Sequence, residues 1–222
     1  MSALAQALLG TGAAVSASDR YRDAGSGNAV TRGLTRAGVT WYPQNGTAVR
    51  ERPDAVVVST AIEADNPDVA AARALSVPVR HRSDILAQLV AGTRCVAVAG
   101  TSGKSTVTGM TGWILEQAGW DPTVVNGAPV RNWMAGGIVG NVRMGYSGLW
   151  VIEADESDRS LLKYRPSCAV VTNISADHFP LETSRELFAA FAQRVRGPVL
   201  GAVGDAAYLE GFDPVLQGDH SV

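Results

Sequence analysis

Residues 94–110 read RCVAVAGTSGKSTVTGM. The first six residues form a short apolar run that is typical of a buried strand, and the residues from Lys104 onward have the pattern of an amphipathic helix. Between them, Gly100 and Gly103 frame a turn that leads into Lys104 and Ser105. A strand, a glycine turn and a helix in this order are typical of a phosphate-binding loop, so the segment predicts nucleotide binding.

Each residue type in this loop suits a bound phosphate. Glycines permit a tight turn whose N–H groups approach phosphate oxygens, and the helix N-terminus adds a partial positive charge. The Lys104 ammonium is expected near the transferring phosphate, and the Ser105 hydroxyl near Mg²⁺. The general Walker pattern has another glycine where this chain has Val98, so this is the shorter G-T-x-G-K-[ST] form. The loop alone does not define the reaction.

Strands and helices alternate along the chain, which predicts an α/β fold with a mostly parallel sheet. Strands are predicted within residues 13–18, 54–60, 77–80, 94–100, 122–127, 149–155, 167–174 and 197–203. Helices are predicted at residues 2–9, 68–75, 83–90, 104–118 and 184–195. In the fourth helix, an apolar stripe is expected to pack on a sheet; it consists of Val107, Met110, Ile114 and Ala118.

A domain boundary is predicted between Ala87 and Arg94. Before it, the strands at 13–18 and 54–60 are expected to share one sheet; after it, the strand at 94–100 begins a new phosphate-binding unit. The glycine-rich residues 132–147 predict a long loop with at most a short strand pair.

The composition excludes several functional classes. Of 222 residues, 46% are hydrophobic and 18% charged, and the net charge of −2 gives no basic stripe for nucleic acid or an anionic membrane. Neither a signal peptide nor an apolar run of the roughly 20 residues that span a bilayer is present, which predicts a cytoplasmic protein. Cys95 and Cys168 lack metal-site spacing and predict two buried thiols in a reducing compartment.

A second polar cluster follows the strand in residues 149–158, LWVIEADESD. Its four carboxylates are those of Glu153, Asp155, Glu156 and Asp158. Ligands of open α/β sheets bind at the carboxyl ends of the strands, so these carboxylates are expected to face the phosphate loop and to complete the coordination of Mg²⁺. The alternative is a solvated acidic turn that ends the strand.

A third cluster ends the strand in residues 167–179, SCAVVTNISADHF, with Asn173, Asp177 and His178. His178 is a candidate metal ligand, a nucleotide contact or a polar surface residue. Because magnesium prefers oxygen ligands, a histidine ligand is more typical of manganese. His81 and His220 have no comparable setting and are interpreted as surface residues.

The three segments together resemble the Mur ligase family. The matching residues are VAGTSGKST (98–106), DPTVVNGAPV (121–130) and VIEADESDRSLLKYRPSCAVVTNISADH (151–178). Upstream, VSASD, VVVSTAIEADNP and VPVRHRSDILAQL resemble the family's substrate domain. The resemblance implies an ATP- and Mg²⁺-dependent, ADP-forming ligase of peptidoglycan synthesis, and hence of cell shape and division. Such an enzyme joins an amino acid, here expected to be L-alanine, to UDP-N-acetylmuramate through an acyl phosphate.

The resemblance also implies roles for individual residues. Lys104, Glu153 and His178 would be catalytic, and Ser105, Glu153 and His178 would hold the metal, with Mn²⁺ as an alternative to Mg²⁺. The nucleotide would contact residues of the loop and of the later strand end: Gly100, Thr101, Ser102, Gly103, Lys104, Ser105, Thr106 and Asn173. The substrate would contact Asp19, Asn126, Asp155, Glu156 and Ser157.

The implied organisation is an incomplete Rossmann-like UDP-substrate domain at residues 1–90 and a P-loop-type ATP-binding domain at 91–222. The family's first strand with its glycine turn is expected before Met1, and its amino-acid-binding domain after Val222. Two residues depart from the pattern: Ser102 replaces a usual histidine, and Pro180 a usual aspartate. Two other interpretations stay open: an ATP-binding module without turnover and a ligase for another amino acid. An unrelated P-loop kinase or ATPase is disfavoured, because the acidic motif and the TNISADH strand match the ligases in order and spacing.

Overall fold

The computed structural model describes residues 1–63 and 65–201. The helices are α1 (Ser2–Gly10), α2 (Arg20–Asp23), α3 (Ala29–Arg36), α4 (Thr47–Arg50), α5 (Pro67–Ala74), α6 (Arg82–Val90), α7 (Lys104–Gln117) and α8 (Leu181–Ala192). The strands are β1 (Ser16–Ala17), β2 (Thr40–Trp41), β3 (Val56–Val58), β4 (Val79–His81), β5 (Arg94–Ala99), β6 (Thr123–Val125), β7 (Val142–Arg143), β8 (Leu149–Glu153), β9 (Cys168–Val171) and β10 (Val199–Gly201). Alternating helices and parallel strands confirm the predicted α/β class.

The described residues form two compact units. The first contains residues 1–89 and also 128–144, and the second contains 90–127 and the described residues after Met144. Residues 128–144 therefore group with the first unit, whereas the sequence predicts contiguous domains. Two 3₁₀ turns and β7 lie in the glycine-rich segment that the sequence predicts as a loop.

The second unit contains five parallel strands in the order β10-β9-β5-β8-β6. Strand β5 pairs with β8 on one side, where Val98 is opposite Glu153, and with β9 on the other, where Ala99 is opposite Val171. Both neighbours run in the same direction as β5, so all three strands end at one edge of the sheet. The segment predicted to bind phosphate and both later polar clusters follow these three ends.

Helix α7 packs on β5, β6 and β8 through a face that differs from the predicted one. Its buried residues are Thr108, Gly109 and Gly112. By contrast, Met110 and Ile114 of the predicted stripe are 57% and 60% exposed. The apolar-stripe prediction is wrong because small residues let the helix lie close to the sheet, and larger side chains point away from it.

The first unit contains two separate parallel strand pairs, β1 with β2 and β3 with β4. The expectation that the strands at 13–18 and 54–60 share one sheet is therefore wrong: each pairs with the next strand in the chain instead. A small core formed by Val49, Ala72 and Val77 supports the second pair.

Buried Asp68 connects elements of the first unit. Its carboxylate accepts hydrogen bonds from the Ser18 hydroxyl and from the Gly46 N–H, the latter at 2.7 Å. It thereby ties the residue after β1 and the residue before α4 to the first turn of α5. Among the described residues, no helix is long and apolar enough to cross a membrane.

Candidate functional site

The turn after β5 has the backbone geometry that its glycines predict. Gly100 and Gly103 have φ values of +130° and +81°, which side-chain-bearing residues rarely adopt. A Cβ on Gly100 would also collide with the hydroxyl of Thr172 and approach the Thr172 backbone nitrogen to 2.8 Å. Glycine at position 100 is therefore required both by the turn and by the close passage of the residue that follows β9.

The end of β9 supports this turn through hydrogen bonds that the sequence does not reveal. The Thr101 N–H donates to the Asn173 carbonyl at 2.9 Å, and the Ser102 N–H donates to Asn173 Oδ1 at 3.1 Å. In return, Asn173 Nδ2 donates to the Ser102 carbonyl at 2.9 Å, and the Thr172 hydroxyl donates to the same carbonyl at 2.5 Å. Asn173, predicted as a nucleotide contact, thus uses both ends of its amide on the loop backbone.

The N–H groups that remain for an anion are those at the start of α7. The first N–H groups of a helix have no partner within the helix, and the helix dipole makes this end positive. Lys104, Ser105 and Thr106 form the first turn. The Thr101 and Ser102 N–H groups already donate to Asn173, so an anion at this loop would meet the N–H groups of its second half.

The Lys104 ammonium lies over the loop and meets a carboxylate of the acidic segment. Its Nζ donates to the Thr101 carbonyl at 3.2 Å and lies 2.7 Å from Glu156 Oε2. The two side chains are 13% and 3% exposed, so this ion pair is largely shielded from solvent. The lysine and the acidic strand end therefore lie at one place in the second unit, and Glu156, predicted as a substrate contact, is buried there.

Glu153 lies at the end of β8, and its carboxylate accepts a hydrogen bond from the Gly127 N–H at 2.7 Å. A Cβ on Gly127 would lie within 3.0 Å of this carboxylate, so glycine allows the close approach. Neighbouring Asn126 is buried and donates to the Ser105 carbonyl at 3.1 Å. Asn126, another predicted substrate residue, thus holds the first turn of α7.

The rest of the acidic segment forms local turns. Asp155 Oδ1 accepts from the N–H and the hydroxyl of Ser157, and Asp158 Oδ1 accepts from the Ser160 N–H. Four carboxylates close in sequence thus have three kinds of partner: a glycine N–H for Glu153, the lysine for Glu156 and neighbouring turn residues for the two aspartates. The solvated-turn interpretation does not fit Glu156, which is buried.

His178 lies in an exposed segment after β9. Its ring is 50% exposed, and its Nε2 is 3.9 Å from Asp177 Oδ2. Among the residues that the structure describes, no group of three or more histidine, cysteine or acidic side chains could hold a metal ion. Oxygen donors suited to Mg²⁺ are present in the Glu153 carboxylate and the Ser105 hydroxyl, and nucleotide phosphates and water usually complete such a shell.

Four further residues singled out in the sequence are Asp19, His81, Pro180 and His220. Asp19, in the first unit, caps α2 by accepting from the Arg22 N–H at 2.9 Å. His81 is half-buried and its Nδ1 lies 2.6 Å from the Ser83 hydroxyl, so its interpretation as a surface residue is wrong. His220 lies outside the described residues. Pro180 precedes α8.

The two cysteines differ in burial. Cys95 is 1% exposed, and burial raises the pKa of its thiol to about 12. Cys168 is half-buried, and burial raises the pKa of its thiol as well. Both thiols are free. The prediction of a buried thiol is thus confirmed fully for Cys95 and only partly for Cys168.

Two family models match the chain in succession. Residues 1–94 match the Mur ligase family, catalytic domain, and residues 98–193 match the Mur ligase middle domain. The second match contains the phosphate loop, the acidic segment and the end of β9.

Curated relatives carry the same name in several bacteria. The chain is 41% identical over 200 residues to UDP-N-acetylmuramate–L-alanine ligase of Myxococcus xanthus, covering 88% of this chain and 40% of that protein. It is 43% identical over 211 residues to the Frankia casuarinae protein of that name, covering 92% of this chain and 41% of that protein. The chain spans about 40% of the length of these relatives.

Solved structures agree on the fold. The chain is similar to UDP-N-acetylmuramate-alanine ligase MurC from Thermotoga maritima, with a TM-score of 0.78, 26% identity and coverage of 90% of this chain and 46% of that one. A ligase from Neisseria meningitides named UDP-N-acetylmuramate:L-alanyl-gamma-D-glutamyl-meso-diaminopimelate ligase gives a TM-score of 0.81 at 24% identity, covering 94% of this chain and 70% of that one.

Proposed function

Because the chain belongs to the Mur ligase family, we propose that it supplies the nucleotide- and UDP-substrate-binding parts of an ADP-forming UDP-N-acetylmuramate–L-alanine ligase. The observation that carries this proposal is the meeting of Lys104 with the acidic end of β8 beside the phosphate loop. The relatives above 40% identity give the proposed substrates by their name. The proposed role lies in peptidoglycan synthesis, in the cytoplasm where ATP is supplied, and so contributes to cell shape and division.

The proposed reaction has two steps. The carboxylate of UDP-N-acetylmuramate attacks the γ-phosphorus of ATP, which forms an acyl phosphate and releases ADP. The amine of alanine then attacks the acyl carbon, the amide forms, and phosphate leaves as the amine loses a proton. The first step brings two anions together, so the enzyme must offset their repulsion and align them.

The chain offers two sources of positive charge for the phosphates. The Lys104 ammonium is a full charge, and the start of α7 adds the positive end of its dipole. We place the β- and γ-phosphates over Lys104, Ser105 and Thr106, whose N–H groups begin the helix. The loop residues that support this arrangement are Gly100, Thr101, Ser102 and Gly103, with Asn173 behind them.

The proposed metal is Mg²⁺, with Mn²⁺ as an alternative, held by Ser105 and Glu153, with His178 as a further ligand. When bound, the metal would neutralise phosphate charge during transfer. Glu153 already has its carboxylate beside the phosphate-loop edge of the sheet, bonded to the Gly127 N–H. The His178 side chain is 50% exposed, with its Nε2 3.9 Å from Asp177 Oδ2.

For the substrates, we propose a division between the two units. The first unit, predicted as the UDP-substrate domain of residues 1–90, would hold the UDP group, with Asp19 after β1 as a ribose contact. The second unit, within the predicted domain of residues 91–222, would hold ATP. Asp155 and Ser157, which are near the end of β8, are proposed to contact the muramate side of the substrate.

Binding of Mg-ATP tests this function. We expect the wild-type chain to bind Mg-ATP in calorimetry and Lys104→Ala to weaken binding by roughly a hundredfold or more, because a phosphate-loop charge is lost. The chain contains one other lysine, the exposed Lys163, so Lys163→Ala is a matched control that should bind as wild type does. Equal affinity of the Lys104→Ala and wild-type chains would contradict the proposal.

A further inference from the structure

The Glu156 carboxylate is buried in a setting that a surface turn does not explain. Its side chain is 3% exposed, and the ammonium of Lys104, 2.7 Å away, is its cationic partner. Neither carboxylate oxygen has a partner in the described structure that meets the angles of a hydrogen bond. A buried carboxylate normally has its oxygens satisfied by several donors. Glu156 instead depends on one lysine.

The same lysine is the group that the phosphate loop would offer to a nucleotide. In this structure Lys104 is folded over its own loop, bonded to the Thr101 carbonyl at 3.2 Å as well as paired with Glu156. A phosphate near the first turn of α7 would compete with the Glu156 carboxylate for the ammonium. The Glu156 carboxylate and the phosphate would each pair with the Lys104 ammonium.

We propose that Glu156 is a positioning residue that substitutes for phosphate while the loop is empty: its carboxylate holds the Lys104 ammonium and gives it up when a polyphosphate binds. This inference rests on the proposed nucleotide function of the loop. It assigns the ligand as a polyphosphate anion and predicts that binding exchanges one ion pair for another. The Glu156–Lys104 pair keeps the lysine in place when no ligand is bound. Competition between Glu156 and phosphate for the lysine lowers the affinity for nucleotide.

The first arm of the test measures the lysine without any nucleotide. Lys104 and Lys163 are the only lysines, so amine acetylation followed by mass spectrometry of the two peptides gives a reactivity ratio with an internal reference. We expect Glu156→Gln to raise the Lys104 reactivity relative to Lys163 by about fivefold, because the ammonium loses its ionic partner. An unchanged ratio would overturn the proposed pairing.

The second arm measures tripolyphosphate binding in EDTA. We expect Glu156→Gln to bind tripolyphosphate about tenfold more tightly than wild type, since a competing anion is removed. Asp158→Asn removes a charge from the same segment but from a carboxylate bonded to the Ser160 N–H rather than to the lysine, and it should change affinity by less than about threefold. A residue with a purely structural role would weaken binding when changed, so weaker or equal binding by Glu156→Gln overturns the proposal.

Two further results separate the ways in which the proposal can fail. If Glu156→Gln does not fold, Glu156→Asp takes its place in the test. It keeps the charge and shortens the side chain by one methylene, so the Lys104 reactivity ratio should lie above wild type and below the fivefold increase expected for Glu156→Gln. A wild-type ratio in Glu156→Asp would count against the pairing. If the wild-type chain binds neither Mg-ATP nor tripolyphosphate, the proposed function fails, whereas the acetylation arm still decides whether Glu156 holds the lysine.

Discussion

The phosphate-loop unit and the first unit are both α/β, but they are held together differently. In the second unit, β5, β6 and β8 are nearly all buried and lie side by side in one parallel sheet. In the first unit, β3 and β4 are partly exposed and form one of two separate pairs. Short polar contacts, such as those of Asp68, supplement a small apolar core there. The candidate site of the second unit therefore stands on a continuous, largely buried sheet.

The largest expected effect is the loss of folding stability when a buried side chain is shortened in the core of each unit. Ile152 is fully buried in β8 between β5 and β6, and Ile152→Ala should reduce the free energy of unfolding by about 4 kcal/mol through lost burial and a cavity. Val49 is 2% exposed in the first unit, and Val49→Ala should cost about 2 kcal/mol. Urea unfolding with hydrogen exchange resolved by segment measures both. A greater loss for Val49→Ala would reverse the comparison.

A smaller effect is expected for two glycines with positive φ. Gly100→Ala should destabilise the chain by about 3 kcal/mol, because its Cβ meets Thr172 in addition to the backbone strain. Gly38, in the first unit, has a φ of +102° but open space where an alanine methyl group would lie, so Gly38→Ala should cost only about 1 kcal/mol of strain. Thermal unfolding of both variants checks the difference. Equal losses would mean that the contact with Thr172 contributes nothing.

The smallest expected effect is a pH dependence of folding stability that arises from Cys95 in the buried sheet. The pKa of Cys95 is raised from its ordinary value of 9.0 to about 12, so the folded state keeps this thiol protonated while the unfolded chain ionises it. Its contribution is fully present below pH 9 and is lost as the pH rises from 9 towards 12. Between pH 8 and 10 the wild-type chain should lose about 1 kcal/mol more stability than Cys95→Ala.

Parallel denaturant titrations of the two chains at pH 8 and pH 10 give this value. Identical pH dependence in wild type and Cys95→Ala would show that Cys95 ionises freely in the folded chain. The expected direction follows from the burial of Cys95 between β8 and β9, where it lies opposite Trp150 in the sheet.

The sequence predicts the second unit well because its strands are apolar runs followed by glycine or polar residues. The positions of β5, β8 and β9 follow from those runs, and so does the turn at Gly100. The face of α7 that packs on the sheet could not be predicted from the spacing of apolar residues. Hydrophobic spacing favours Met110 and Ile114 as the packed side of α7, whereas close contact with a sheet selects Gly109 and Gly112.

The first unit is less predictable for a related reason. Helix α3 contains Gly33 and polar residues and begins at the Asn28 cap rather than at an apolar repeat, and β2 has only two residues. In the candidate site, the residue types at the strand ends are visible in the sequence, but their partners are not. Whether Glu153 or Glu156 meets Lys104 depends on how the chain turns after β8, since both are carboxylates three residues apart.

Calorimetry of ATP binding to wild type and Glu153→Gln, with and without Mg²⁺, tests whether the phosphate loop and the end of β8 share one metal-bound nucleotide. We expect Glu153→Gln to weaken binding of Mg-ATP about tenfold and not to weaken binding of ATP in EDTA, because the carboxylate acts through the metal. Equal weakening in both conditions, or full affinity for Mg-ATP, would contradict it.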